Sequence, residues 1–260
     1  MTRREPQEPP EHTLRRLTGT RLLSGTTSAT GETNPARPVS PLLPARARRP
    51  AGIAAACCAV LVAVLGALAA HRAQGNAVDR PVDSWIKQHL ASHHNLLSDI
   101  AYLGGGQMAA VLTAVLVLAC LAARRVNGAV LVLVSVVVTA GLTEYVLKPL
   151  VHETIGGSLT YPSGHMASLS ALFGAAGVLM LDPPRWRPRP GVRLLLTIGL
   201  VVLGCVVAVS LVGLNYHYFT DTIAGVAWGT CVVLTTTFLL DGAGVRRWLG
   251  AARLRWRRVS

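Results

Sequence analysis

Long apolar stretches separated by short polar connections run through most of the chain, at about 51–70, 100–122, 126–147, 165–181, 194–214 and 222–240. Each is long enough, or nearly so, to cross about 30 Å of hydrocarbon as a helix. The pattern predicts an all-α integral membrane protein with six transmembrane helices. Residues 1–50 fall outside it: prolines and arginines alternate with Ser, Thr and Gly and no apolar period is sustained, which predicts a disordered basic tail. Residues 241–260 form a second basic tail, leaving 51–240 as the membrane domain.

Composition sharpens this picture. With 51% hydrophobic and only 14% charged residues, a soluble domain is excluded as the working class. A net charge of +13 would suit a nucleic-acid partner, yet the basic residues gather at the ends of apolar stretches instead of interleaving with aromatics. No nucleic acid is expected; the partner predicted for the basic tails is the anionic inner-leaflet lipid surface. Of the 25 lysines and arginines, all but Arg72, Arg80, Lys87 and Lys148 fall in the two tails, the turn at 123–125 or the loop at 182–193. The positive-inside bias therefore predicts both termini in the cytoplasm, in a plasma membrane, with 71–99, 148–164 and 215–221 facing outward. The cysteines, Cys57, Cys58, Cys120, Cys205 and Cys231, lie inside apolar stretches without metal-ligand spacing and read as packing residues.

The chemistry is concentrated at the outer ends of the later stretches. Tyr161-Pro162-Ser163-Gly164-His165 opens the fourth, and a helix beginning there presents unpaired N–H groups and a positive dipole end suited to an anion such as phosphate. Glu144 and Lys148 share a helix face at the end of the third stretch and can pair; alone, Lys148 reads better as a snorkelling lysine, and only the two motifs that follow it in the chain outweigh that reading. His217 and Asp221, four apart at the start of the sixth, can place a carboxylate on one imidazole nitrogen and free the other, or can belong to an aromatic belt with Tyr216 and Tyr218. Asp83–Leu90 reads as an interfacial amphipathic helix anchored by Trp85, and His89, His93 and His94 as a solvated face, so no metal site is expected.

Lys148, Pro162-Ser163-Gly164-His165 and His217 with Asp221, spread in this order over six spans, resemble the type-2 phosphatidic acid phosphatase superfamily of integral membrane lipid phosphatases. The similarity covers about residues 80–240 and extends to Asp83 and the Leu103-Gly104 pair. It implies hydrolysis of a lipid phosphomonoester or diphosphate, polyprenyl or glycerolipid, at the outer face through a phosphohistidine and without metal or cofactor. His217 would be the nucleophile, Asp221 its orienting acid, and His165 the general acid and base, with Lys148 and the backbone at Ser163 and Gly164 binding phosphate.

The chain departs from the family pattern at Ile155-Gly156, where Arg-Pro is usual, at Glu153, often an arginine, and at Leu211 of Ser210-Leu211, where Ser-Arg is usual. Each missing donor is expected to cost about 10²–10³ in rate unless replaced, and Arg72 or Arg80 could fold over the site to replace it. Glu153 is expected to point away from the site or to pair with Lys148. Two other classes remain open: a non-catalytic relative that binds lipid phosphates or assembles with envelope proteins, and a small transporter.

Overall fold

The computed structural model describes residues 41–181, 189–242 and 245; most of both tails and much of the 182–193 loop lie outside them. Helix α1 (Ala45–Ala69) starts ahead of the expected residue 51. Two shorter helices follow, α2 (Asp79–Leu90) and α3 (His94–Gly104), then α4 (Gly106–Ala122) and α5 (Val126–Leu142). A π-helical turn at Thr143–Leu147 carries α5 into the short α6 (Lys148–Val151). A two-stranded hairpin, β1 (Thr154–Ile155) and β2 (Ser158–Leu159), precedes α7 (Gly164–Leu181), α8 (Pro190–Gly213) and α9 (Phe219–Leu240).

Among the described residues, five helical runs are long and apolar enough to cross a membrane, and a sixth span arises if the bent pair 79–104 and 106–122 counts as one. The second stretch, expected as one helix from about residue 100, is instead broken at Gly105, with a 41° bend. Gly104-Gly105-Gly106 explains the break, since consecutive glycines give an interior helix the least reason to continue.

Helix α7 lies at the centre. Ala171, Leu172, Ala175, Val178 and Leu179 pack on Leu131 and Val132 of α5 and Val233 of α9, while Met166 and Leu169 meet Ala101 of α3 and Val207 and Leu211 of α8. The outer surfaces stay apolar, with Leu194, Leu195, Val201 and Leu118 exposed, as lipid-facing helices require. Helices α7 and α9 approach most closely at Gly225 and Gly229 of α9. A Cβ at Gly225 would lie 2.6 Å from the Ser163 carbonyl, and one at Gly229 would run into the Ala167 carbonyl. The two helices meet backbone to backbone over a Gly-x-x-x-Gly face.

At the far end of α9, Asp241 ties the two ends of the membrane domain together. Its carboxylate accepts from the N–H groups of Leu42 (2.7 Å) and Leu43 (3.1 Å) and from Arg48 (3.2 Å). At the same end Arg125 and Arg193 donate to the last carbonyls of α7, at Leu179 (3.2 Å) and Met180 (2.7 Å). Asp241→Ala strands two buried N–H donors, and we expect a loss of about 2–4 kcal/mol. Thermal unfolding in detergent measures it; an unchanged midpoint would mean that this tie contributes nothing.

Candidate active site

The opposite end of the bundle holds the residues singled out by their chemistry. Ser163 is fully buried at the start of α7, where its hydroxyl caps Met166 N (3.4 Å) and its carbonyl receives Ala167 N (2.9 Å). Ser163 N–H donates to the Asp221 carbonyl (3.1 Å), joining this turn directly to the first turn of α9. The 152–161 segment is tied to the same place. Tyr218 Oη donates to the Thr154 carbonyl (3.3 Å), Thr160 N–H to the Glu153 carbonyl (3.0 Å), and the hairpin turns through Gly156 and Gly157, both at positive φ. Tyr161, its ring buried against Gly66, donates to the Val62 carbonyl of α1.

Helix α2 fixes the start of α9. Asp79 accepts from Thr220 N–H (2.8 Å) and from the Thr220 hydroxyl (3.1 Å), and Asp83 from Phe219 N–H (3.2 Å). Within α9, Asp221 Oδ2 accepts from Tyr218 N–H (3.1 Å). The unpaired N–H groups of a helix start need acceptors, and these side chains supply them. The amphipathic helix expected in this loop is therefore present, with Trp85 exposed, but its inward face is a cap for α9.

His217 sits just before α9, 6% exposed, with Nδ1 3.6 Å from Asp221 Oδ2 and free of any other partner. The rings of His217 and His165 lie edge to face, 6.1 Å between centres. Both line a cavity of about 580 Å³ together with Lys148, Glu144 and Gly164. The structure thus brings His165, His217, Lys148 and Gly164 to one cavity, with Ser163 beneath its floor and Asp221 behind His217.

Lys148 is ion-paired with Glu144 at 2.7 and 2.9 Å, as the four-residue spacing predicts. Glu153 neither lines the cavity nor pairs with Lys148; it is buried, and burial, then Asp221, pushes its carboxyl far above the usual carboxylate range. Arg72 and Arg80 do not replace the missing arginines: Arg72 faces Glu153, and Arg80 Nε donates to the Gly75 carbonyl (3.2 Å). Lys87 of α2 comes nearer: its Nζ donates to Asn215 Oδ1 (2.6 Å), and Asn215 lines the cavity. No sequence signal links residues so far apart. His89 stacks on Trp85 at 4.4 Å, away from the cavity.

A family model described as the PAP2 superfamily matches residues 45–242, more than half of the chain. The chain belongs to the PAP2 superfamily. No curated protein and no solved structure matches it. PAP2 membership, with several membrane-length apolar helices, makes this a membrane protein of phosphatase type and supports phosphoester hydrolysis on lipid phosphates as its chemistry. Among the described residues lining the PAP2 cavity there is no arginine, so the only side-chain cation there outside the histidines is Lys148.

Proposed function

We propose that the chain hydrolyses a phosphomonoester or diphosphate of a polyprenyl or glycerolipid at the extracytoplasmic face of the plasma membrane, through a phosphohistidine at His217. The observation that carries this reading is the convergence of His165 and His217, ring centres 6.1 Å apart, on one cavity with Lys148 and the start of α7, with Asp221 behind His217 Nδ1.

In the first step His217 Nε2 attacks phosphorus and the bond from phosphorus to the lipid oxygen breaks. Asp221 holds Nδ1–H, which keeps the lone pair on Nε2 and balances the imidazolium as it forms. The contact of 3.6 Å is longer than a hydrogen bond and is expected to tighten as the imidazolium charge develops. His165 gives its proton to the departing oxygen. It then takes one from a water that attacks the phosphohistidine, and inorganic phosphate leaves with His217 regenerated. Lys148 and the N–H groups at the start of α7 face the phosphoryl oxygens, where charge stabilisation supplies much of the rate.

An apolar cleft of about 740 Å³ supports a lipid substrate. It begins at Met166 and Phe219, beside the catalytic turns, and runs between α7, α8 and α9 to Met180 and Leu196. Its size and lining suit an acyl or prenyl chain. The outward orientation rests on charge: Arg48, Arg125 and Arg193 lie at the end opposite the cavity, as the positive-inside bias places them for cytoplasmic termini.

Because side chains supply every proton transfer in this scheme, phosphate release by detergent-purified protein is expected to persist in excess chelator. Loss of release on chelation, with recovery on adding a divalent ion, would overturn the scheme. A second reading, a relative that binds lipid phosphates without turnover, is favoured by the neutralisation of Lys148 by Glu144 and by the arginine-free cavity lining. Saturable binding of lipid phosphate to folded protein, with no release from any member of a broad panel, would select it.

A further inference from the structure

The first turn of α9 gathers buried acids: Asp79, Asp83, Asp221 and Glu153. Asp79, Asp83 and Asp221 each accept at least one backbone N–H of the α9 start, so each has a donor. Glu153 has no such support. It is 1% exposed, and neither of its carboxyl oxygens has a hydrogen-bond partner. Its loop is tied to the start of α9 by Tyr218 Oη on the carbonyl of the next residue, Thr154, and it neighbours Asp221, whose Oδ1 is also without a partner. Two ionised carboxylates are both acceptors and cannot bond to one another. A single proton between them satisfies both orphaned groups and removes the repulsion.

We propose that Glu153 is carried as the neutral acid and donates its O–H to Asp221 Oδ1, acting as a positioning residue that holds Asp221 ionised and aimed at His217. This rests on the roles given above to His217 and Asp221. Where the family pattern often has an arginine, this chain then has a proton donor placed behind the orienting acid, and not a cation facing phosphate.

The surroundings favour the neutral acid. Glu153 is faced by Asp221 from α9, Asp79 from α2, Arg72 from the loop before α2, and the phenols of Tyr161 and Tyr218. Of these only Arg72 favours the anion. Asp83 lies beyond Asp79 on α2, and the neighbouring His152 is turned to solvent, against His71. The folded protein therefore keeps this proton to a higher pH than the unfolded chain does. Stability falls as pH rises from the ordinary glutamate range towards the raised value, and turnover falls once the pair becomes two like charges.

The test is infrared spectroscopy and kinetics on the full chain in detergent, comparing wild type with E153Q and E153A. Glutamine keeps the shape and supplies an amide N–H to Asp221 but cannot ionise. Wild type is expected to show at neutral pH a protonated-carboxyl C=O band that E153Q lacks. E153Q should retain turnover within about threefold and lose the Glu153-linked fall at alkaline pH, while E153A drops kcat about tenfold or more with little change in KM. Absence of the band, or folded E153Q as inactive as E153A, would overturn the proposal. A band in a wild-type protein that releases no phosphate would uphold the shared proton and overturn only the catalytic reading on which its role rests.

Discussion

Replacing His217 by alanine is expected to lower turnover about 10³-fold or more while leaving the fold intact. On the proposed scheme the effect is large because nothing replaces His217 as nucleophile: His165 faces the same cavity but has no carboxylate partner among the described residues, whereas His217 has Asp221 at 3.6 Å. The fold should survive because His217 Nδ1 has no hydrogen-bond partner to lose. The start of α9 is held instead by Asp79, Asp83 and Asp221 through backbone N–H groups that the substitution leaves in place. Phosphate release normalised to folded protein measures this, and turnover in His217→Ala near the wild-type value would remove His217 from the reaction.

The other large effect is structural. Gly229→Val is expected to prevent assembly of the membrane domain, at a cost beyond about 4–5 kcal/mol, because its Cβ would be driven into the Ala167 carbonyl and lie 2.8 Å from Ala171 N. Backbone atoms in packed helices cannot step aside as a flexible side chain can. Gly225→Ala should differ in kind. Its Cβ meets the Ser163 carbonyl at 2.6 Å, two residues from His165. Protein that folds should therefore lose activity out of proportion to stability. Yield and thermal unfolding in detergent decide the first case, and a Gly229→Val protein melting like wild type would contradict the packing described.

Periodicity and spacing carried much of this molecule. Apolar length marked the spans, and four-residue spacing placed Glu144 on Lys148, because contacts along one helical run follow from helical geometry; Asp221 comes near His217 although His217 lies just before α9. The Gly225-x-x-x-Gly229 spacing is also visible in the sequence, since residues four apart share a helix face. What lay beyond the sequence were contacts across the chain: Asp79 and Asp83 capping α9, Lys87 reaching Asn215, and Leu42 and Leu43 docking on Asp241. Glu153 is the clearest instance. A glutamate five residues after Lys148 in an exposed-looking loop gives no sign of its burial, which the Gly156-Gly157 hairpin and Tyr218 bring about by folding that loop against α9.

The most direct test of the account is to trap the phosphorylated protein. Wild type and the His165→Ala and His217→Ala variants would be mixed with radiolabelled lipid phosphate, quenched in alkali and mapped by peptide. The account predicts an acid-labile, alkali-stable label on His217. That label should accumulate in His165→Ala with a substrate whose leaving group needs no proton, and should be absent from His217→Ala. Label that persists in His217→Ala, or phosphate release by wild type with no trapped label on His217, would contradict it.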